Sequence, residues 1–265
     1  MLHDFLLLLG FLILLFGIIT LGFLIVPRPF RAHPAPSQAG EPAPFLPELP
    51  APVRAHFAET IGENPQRIQT AVIWGRGRAC IRGVWVPLRF KGWYRPGEAF
   101  YRRIEVTWFM RPVLRGSESY LEERGSYALG GRPERGERTD ESELLELWTS
   151  AIWFPSYYVH DPRARWEPVD EVTARLVVPF GAGSETVLAH FDPLSRRMTH
   201  LTTRRYSSDA PEKEPWRVDL LAWQTYHGLL LPSQISVAWG ESGSPWSYWN
   251  IDGVTFNVNV ADQLG

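Results

Sequence analysis

Apolar and polar residues alternate along most of the chain after residue 68. An apolar side chain stands at about every second position in residues 84–90, 100–108, 172–178, 187–191, 216–222, 235–239 and 254–260. A period of two is typical of β-strands that bury one face. The sequence therefore predicts a large antiparallel sheet with one apolar face.

Two segments show the helical period instead. Val53, His56, Phe57 and Thr60 follow Pro52 at helical spacing, and Gly62 ends this first helix. In the second helix, we expect Asp140 to cap the N-terminus, with Glu143 three residues later, and Pro155 to end the run. Its apolar stripe consists of Leu144, Leu147, Trp148, Ala151 and Ile152. An amphipathic helix needs an apolar surface to cover, so we predict an α+β fold in which one or two helices cover a curved sheet.

An uncharged apolar segment stands near the N-terminus. Residues 5–26 form a run of 22 residues without a charge. As a helix it would be about 33 Å long, against a hydrocarbon core of about 30 Å. A cleaved signal peptide is the alternative, but the start lacks basic residues and the run exceeds a usual signal core. We predict a transmembrane anchor over residues 1–26 that contacts the lipid bilayer through residues 5–26.

The segment after the anchor is rich in proline. From Pro27 to Pro52 there are nine prolines, which predicts a stiff, extended spacer over residues 27–45. The folded domain then covers residues 46–265. Arg28 and Arg31 follow the apolar run, and by the positive-inside rule they favour a cytoplasmic domain.

Composition and motifs exclude several classes of function. The net charge of −2 is spread over the chain, so we expect no nucleic-acid partner. The single cysteine, Cys80, excludes an internal disulfide and a Cys-rich metal site. No dinucleotide loop, Walker lysine or serine elbow is present, so we predict no cofactor, no metal and no catalytic residue. An enzyme would need His190, Asp192 or Glu167 to converge in a cleft.

Two aromatic clusters are the most suggestive feature. All 12 tryptophans lie from Trp74 onward, and residues 153–158 and 245–249 concentrate aromatic side chains. They either pack between helix and sheet or line a site for an apolar ligand. The candidate cavity residues are Trp153, Phe154, Tyr157, Trp246, Tyr248 and Trp249.

Several short phrases together resemble a known family. They are Leu49–Arg54, Ala151–Pro155, Arg165–Asp170 and Tyr248-Trp249, in this order. They resemble an uncharacterised bacterial family, a domain of unknown function that shares the fold of the lipoprotein-localisation carriers LolA and LolB. The resemblance implies a half-open antiparallel barrel whose helices close an apolar cavity, which takes acyl chains in the carriers. It also favours an extracytoplasmic domain. Where the family leads us to expect an acidic residue, this chain has Ser150.

These features favour a single-pass, membrane-anchored and non-enzymatic binding protein for a lipid or other apolar ligand. The alternative is a structural or interaction protein of the bacterial envelope, with a fully packed core and no ligand. The aromatic clusters distinguish the two, because only the first hypothesis leaves space between them.

Overall fold

A computed structural model describes residues 2–207, 210–240 and 243–265. These residues form twelve β-strands and five α-helices. The strands are β1 (Ala71–Ile81), β2 (Val84–Arg95), β3 (Ala99–Trp108), β4 (Arg111–Leu121), β5 (Arg124–Leu129), β6 (Arg165–Pro168), β7 (Thr173–Phe180), β8 (Gly183–Phe191), β9 (Met198–Arg205), β10 (Glu214–Tyr226), β11 (Leu229–Trp239) and β12 (Pro245–Phe256). The helices are α1 (Leu2–Leu24), α2 (Ala51–Ile61), α3 (Glu137–Thr149), α4 (Ser156–His160) and α5 (Ala261–Leu264), with a 3-10 helix over Ser150–Trp153.

All twelve described strands belong to one antiparallel sheet. Its order is β5-β4-β3-β2-β1-β12-β11-β10-β9-β8-β7-β6, so consecutive strands pair throughout except for β5 and β6, which form the two edges, and β1 pairs with β12. That pairing, in which Ala71 lies opposite Phe256, joins the two halves of the meander. The predicted antiparallel sheet is confirmed.

Two-residue turns connect several strands. Arg82 and Gly83 join β1 to β2, and Phe109 and Met110 join β3 to β4. All four have positive φ, as type I′ hairpin turns require. This turn matches the right-handed twist of the strands and so keeps both hairpins tightly paired.

The short helices cover the apolar face of the sheet. Phe57 of α2, Leu145 and Trp148 of α3, and Tyr158 of α4 are almost completely buried against sheet residues such as Phe90. Burying a side chain of this size stabilises the fold by about 1.5–3 kcal/mol. The predicted α+β architecture of curved sheet and covering helices is confirmed.

The second predicted helix begins earlier than expected and ends earlier too. Asp140 lies inside α3 and does not cap it, because its carboxylate accepts hydrogen bonds from the Gly125 amide at 2.7 Å and from Arg124 at 3.0 Å. The prediction of Asp140 as the cap was therefore wrong, because the Asp140 side chain binds β5 instead of the first turn of the helix. The helix gives way to the 3-10 helix at Ser150, five residues before Pro155.

α1 is long and apolar enough to cross a membrane. Residues His3–Leu24 have a mean hydropathy of 2.8, and almost all of this helix is exposed. Its last turns contact the domain, where the Phe109 amide donates to the Gly22 carbonyl at 3.0 Å and the Trp108 indole donates to the Ile19 carbonyl at 3.1 Å.

The proline-rich segment makes hydrogen bonds to the domain. Lys91 donates to the Arg31 carbonyl at 2.9 Å, and the Gln38 and Leu46 amides donate to Phe256 and Val159 carbonyls at 3.0 and 2.9 Å. The segment therefore lies against the domain. Proline keeps this backbone extended, so that both its amides and its carbonyls remain available for hydrogen bonds to the domain.

Candidate functional site

A large cavity lies between α3, the 3-10 helix and the sheet. Its volume is about 1180 Å³, which exceeds the range of about 300–1,000 Å³ typical of small-molecule sites. The exposed residues 133–138 and half-buried Tyr206 also line it. The cavity therefore opens between the segment that precedes α3 and the connection that follows β9.

One wall of the cavity is apolar and rich in tryptophan. The described lining includes five tryptophans and the aliphatic side chains of Ile152, Val218, Ile235 and Val237. The tryptophans are Trp153, Trp216, Trp239, Trp246 and Trp249. Hydrogen bonds fix two of these rings: the Trp153 indole donates to the Pro232 carbonyl at 3.2 Å, and the Trp249 indole donates to Ser247 Oγ at 2.9 Å.

A buried charged cluster centred on Arg102 lines the cavity beside the tryptophans, and the Arg102 guanidinium lies 5.5 Å from the ring centre of Trp249. Arg102 and Glu118 are direct cross-strand partners in β3 and β4, and Arg102 Nη1 donates to Glu118 Oε2 at 2.7 Å. Arg102 Nη2 donates to Glu146 Oε1 at 2.7 Å and to the hydroxyl of Ser150 at 2.9 Å. These contacts attach α3 to the sheet across the cavity wall.

A second arginine shares Glu146. Arg205, at the end of β9, donates through Nη1 to Glu146 Oε2 at 2.9 Å, and its Nη2 lies 4.0 Å from Glu143 Oε1. Burial alone would raise the pKa of Glu146, but the positive charges of Arg102 and Arg205 outweigh burial and hold that pKa at about 2. Glu146 is thus the ionised carboxylate that joins the two arginines.

Glu143 has the opposite electrostatic environment. Burial, together with the neighbouring charge of Glu118, raises the pKa of Glu143 well above its usual range. The contact with Arg205 is too long to compensate. The cluster accordingly holds acidic side chains whose pKa values burial raises, Glu118 and Glu143, beside Glu146, whose pKa the arginines lower.

Three polar atoms of the cavity wall have no hydrogen-bond partner among the described residues. They are Glu143 Oε2, Arg205 Nε and Trp246 Nε1. Buried polar atoms normally have partners, because leaving one unpaired costs about 1–3 kcal/mol. These atoms are buried behind the lining of the cavity and do not face its open space.

Three of the six predicted cavity residues line this space: Trp153, Trp246 and Trp249. Simple alternation along β12 would put Trp246 and Trp249 on opposite faces. The pairing of β11 with β12 shifts between Val237 and Ala238, which leaves Trp246 as an extra residue between paired positions. This β-bulge turns Trp246 to the same side as Trp249.

The other three predicted residues lie elsewhere. Phe154 is fully buried, with its ring 5.1 Å from that of Tyr94. Tyr157 packs on Trp148 at 4.8 Å between ring centres. Tyr248 lies on the outer face of the sheet, where the Arg78 guanidinium is 4.6 Å from its ring centre.

The residues considered for catalysis do not converge. His190 stacks on His200 at 4.2 Å, Asp192 accepts from the Leu194 and Ser195 amides in a turn, and Glu167 pairs with Arg165 and Arg175. None of the three lines the described cavity. Within the described ranges, no group of three His, Cys, Asp or Glu side chains could hold a metal ion.

Sequence reasoning missed the charged cluster, although one signal pointed to it. Arg102 interrupts the apolar series Phe100, Ile104 and Val106 on the inward face of β3. A charged residue at an inward position predicts a buried ionic partner. Ser150, where the resemblance suggests an acidic residue, contacts this same arginine at 2.9 Å.

Comparisons with known proteins give low sequence identity throughout. No curated protein is similar in sequence to this chain. A LolA superfamily protein from Nitrosomonas europaea is 12% identical, with a TM-score of 0.43 over 80% of this chain and 93% of that protein. A DUF1329 family protein from Desulfovibrio piger is 10% identical, with a TM-score of 0.42 over 74% and 88% of the two chains. A Vibrio parahaemolyticus domain named for outer membrane lipoprotein sorting is 9% identical, with a TM-score of 0.35 over 73% and 88%.

The family comparison covers most of the domain. Residues 42–251 match the family of unknown function DUF6544, so the expected resemblance to an uncharacterised family is confirmed. The matched range contains all the described residues that line the cavity. This chain is a member of the DUF6544 family of unknown function.

Proposed function

We propose that the protein is a non-enzymatic, membrane-anchored binding protein whose cavity takes a lipid or other apolar ligand. The observation that carries the proposal is a cavity of about 1180 Å³ whose lining combines five tryptophans with charged side chains. A fully packed envelope protein would leave no such space, and an empty cavity of this size would forfeit many packing contacts.

The mixed lining suits an amphipathic molecule. Its apolar part would lie against Trp153, Trp249 and the aliphatic residues, where burial gains about 25 cal/mol per Å² of apolar area. Its polar part would lie at the mouth of the cavity, where the exposed Arg138 and the half-buried Tyr206 can donate hydrogen bonds. A hydrogen-bond acceptor such as an ester or amide carbonyl suits these donors.

The anchor completes the proposal. α1 would hold the domain beside a supply of acyl chains, since residues His3–Leu24 are long enough to span the bilayer.

We place the domain on the extracytoplasmic side, against the positive-inside count. A membrane-impermeant maleimide should then label Leu194→Cys in intact cells with a permeabilised outer membrane, in a Cys80→Ala background. Labelling only after the inner membrane is broken would place the domain in the cytoplasm.

The test of binding uses photocrosslinking of the full chain. The protein is reconstituted in nanodiscs that contain a diacyl lipid with a diazirine at the end of one acyl chain, and cross-linked residues are mapped by mass spectrometry. We expect cross-links in α1 and also in the cavity, at Trp153 or Ile235. Cross-links confined to α1 would refute the cavity site while leaving the anchor intact.

Two neighbouring positions on β10 give a matched pair of variants. Val218 is buried and lines the cavity, whereas Arg217 is exposed on the other face. Val218→Trp should place an indole in part of the cavity and lower the yield of cavity cross-links, and Arg217→Trp should leave that yield unchanged. The urea midpoint of each variant shows whether it has folded.

A further inference from the structure

One end of the sheet carries exposed apolar hairpins beside α1. The β1–β2 hairpin exposes Val84 by 54% and Trp85 by 40%, and the β3–β4 hairpin exposes Met110 by 44% and Val113 by 54%. Because β2 and β3 are adjacent, these two turns lie at the same end of neighbouring strands. We call residues 82–85 and 108–113 the docking hairpins.

The β3–β4 turn is unusual for a turn in water. Phe109 and Met110 both adopt positive φ, at 47° and 63°. Two-residue hairpin turns normally use Asn, Asp or Gly at such positions, because larger side chains are strained there. Glu122 and Glu123 adopt the same backbone between β4 and β5, so what distinguishes the β3–β4 turn is its apolar side chains, and these point to an apolar surrounding.

The docking hairpins are continuous with α1. Trp108 and Phe109 contact the carbonyls of Ile19 and Gly22 at 3.1 and 3.0 Å. Gly22 stands four residues before Val26, about 6 Å along a helix axis from the end of the apolar run. If α1 spans a bilayer, Trp108 and its turn lie at the depth of the lipid headgroups, where tryptophan is enriched in membrane proteins.

The docking hairpins and the strand residues beside them are mainly positive. Residues 78–85 and 106–115 contain Arg78, Arg82, Arg111 and Arg115 and no acidic residue, and Arg115 Nε lies 3.5 Å from Oε1 of the buried Glu105 just outside this range. All four of these arginines are exposed. Exposed arginines beside apolar side chains are the pattern expected of a surface that contacts anionic lipid headgroups.

We propose that the docking hairpins insert into the interface of an anionic lipid bilayer, so that the domain lies on the membrane and is not merely tethered to it. The inference rests on the anchor of the proposed function. It also brings part of the cavity wall to the bilayer, because Cys80 of β1 and Trp246 of β12 lie within a few residues of this end. An acyl chain would then have a short path from membrane to cavity.

The test places an environment-sensitive NBD label at single cysteines of the full chain, in a Cys80→Ala background. Met110→Cys reports on a docking hairpin, and Val113→Cys gives a second position outside the strained turn. Leu194→Cys is the matched control, because Leu194 is an apolar side chain, 92% exposed, in the β8–β9 turn at the opposite end of the strands. The labelled proteins are reconstituted in vesicles of phosphatidylcholine and phosphatidylglycerol that contain a doxyl lipid.

We expect blue-shifted emission at positions 110 and 113, and quenching by the doxyl lipid several-fold stronger than at position 194. Vesicles without phosphatidylglycerol should weaken this quenching, and an unchanged signal would refute the role of the arginines. If the chain floats with the vesicles while all three labels behave alike, docking is refuted and the anchor stands. If the chain does not float with the vesicles, both the anchor and the docking fail.

Discussion

The buried histidine of α2 gives a pH dependence that can be worked out from its surroundings. His56 packs among Phe57, Phe191 and Trp223, and its Nδ1 accepts a hydrogen bond from the Met198 amide at 3.2 Å. Burial lowers the pKa of His56 to about 3. The hydrogen bond to the Arg196 carbonyl raises this pKa, but its effect is smaller than that of burial. A protonated ring could not accept the Met198 bond, so the fold requires neutral His56.

The sign of the effect follows from proton binding. Between pH 6.5 and pH 3 the unfolded chain protonates His56 and the folded chain does not, so the free energy of unfolding falls as the pH falls. From pH 7 to pH 5 the loss from this one group is about 2 kcal/mol. The figure depends little on the folded-state pKa, because folded His56 is almost entirely neutral throughout this window.

The assay compares the wild-type chain with His56→Asn, whose side-chain oxygen can still accept from the Met198 amide. Urea unfolding of the full chain in a mild non-ionic detergent gives the free energy of unfolding at pH 7 and pH 5. The variant should lose about 2 kcal/mol less than the wild type over this interval. The packing change costs the same at both pH values and cancels in the comparison. An equal loss of unfolding free energy in both proteins would refute the reasoning. Between pH 7.5 and 8.5 the difference in unfolding free energy between the two proteins should stay constant, because His56 is neutral in both the folded and the unfolded chain.

Further changes test the cavity walls. Arg102→Met should lower the free energy of unfolding by about 3–5 kcal/mol, because it leaves Glu118 and Glu146 buried without their charge partner. Urea titration measures this free energy. Trp153→Ala should cost about 3–5 kcal/mol by the same measurement, because the ring is buried and its indole is hydrogen-bonded. Leu194→Ser should stay within about 0.5 kcal/mol of the wild type, as its side chain is almost fully exposed. A large loss for Leu194→Ser, or a small one for Arg102→Met, would contradict the burial assigned to these positions.

The sequence by itself determined the classes of element. Period-two alternation is a local property, because each strand needs only one buried face, and it predicted the antiparallel sheet. The helical stripe of Leu144, Leu147 and Trp148 likewise predicted a helix over the apolar face, and uncharged residues 5–26 predicted the apolar N-terminal helix. Local patterns also identified three of the residues that line the cavity, at Trp153, Trp246 and Trp249.

Only the tertiary structure decided how these elements meet. Arg102, Glu146 and Arg205 lie far apart in the chain, and their ion pairs exist only because α3 crosses the sheet between β3 and β9. The face on which Trp246 lies depends on a bulge between β11 and β12, which alternation cannot reveal. The ion pairs of Glu146 and the face of Trp246 depend on helix placement and strand register. Packing across the whole core sets these, and no single segment does.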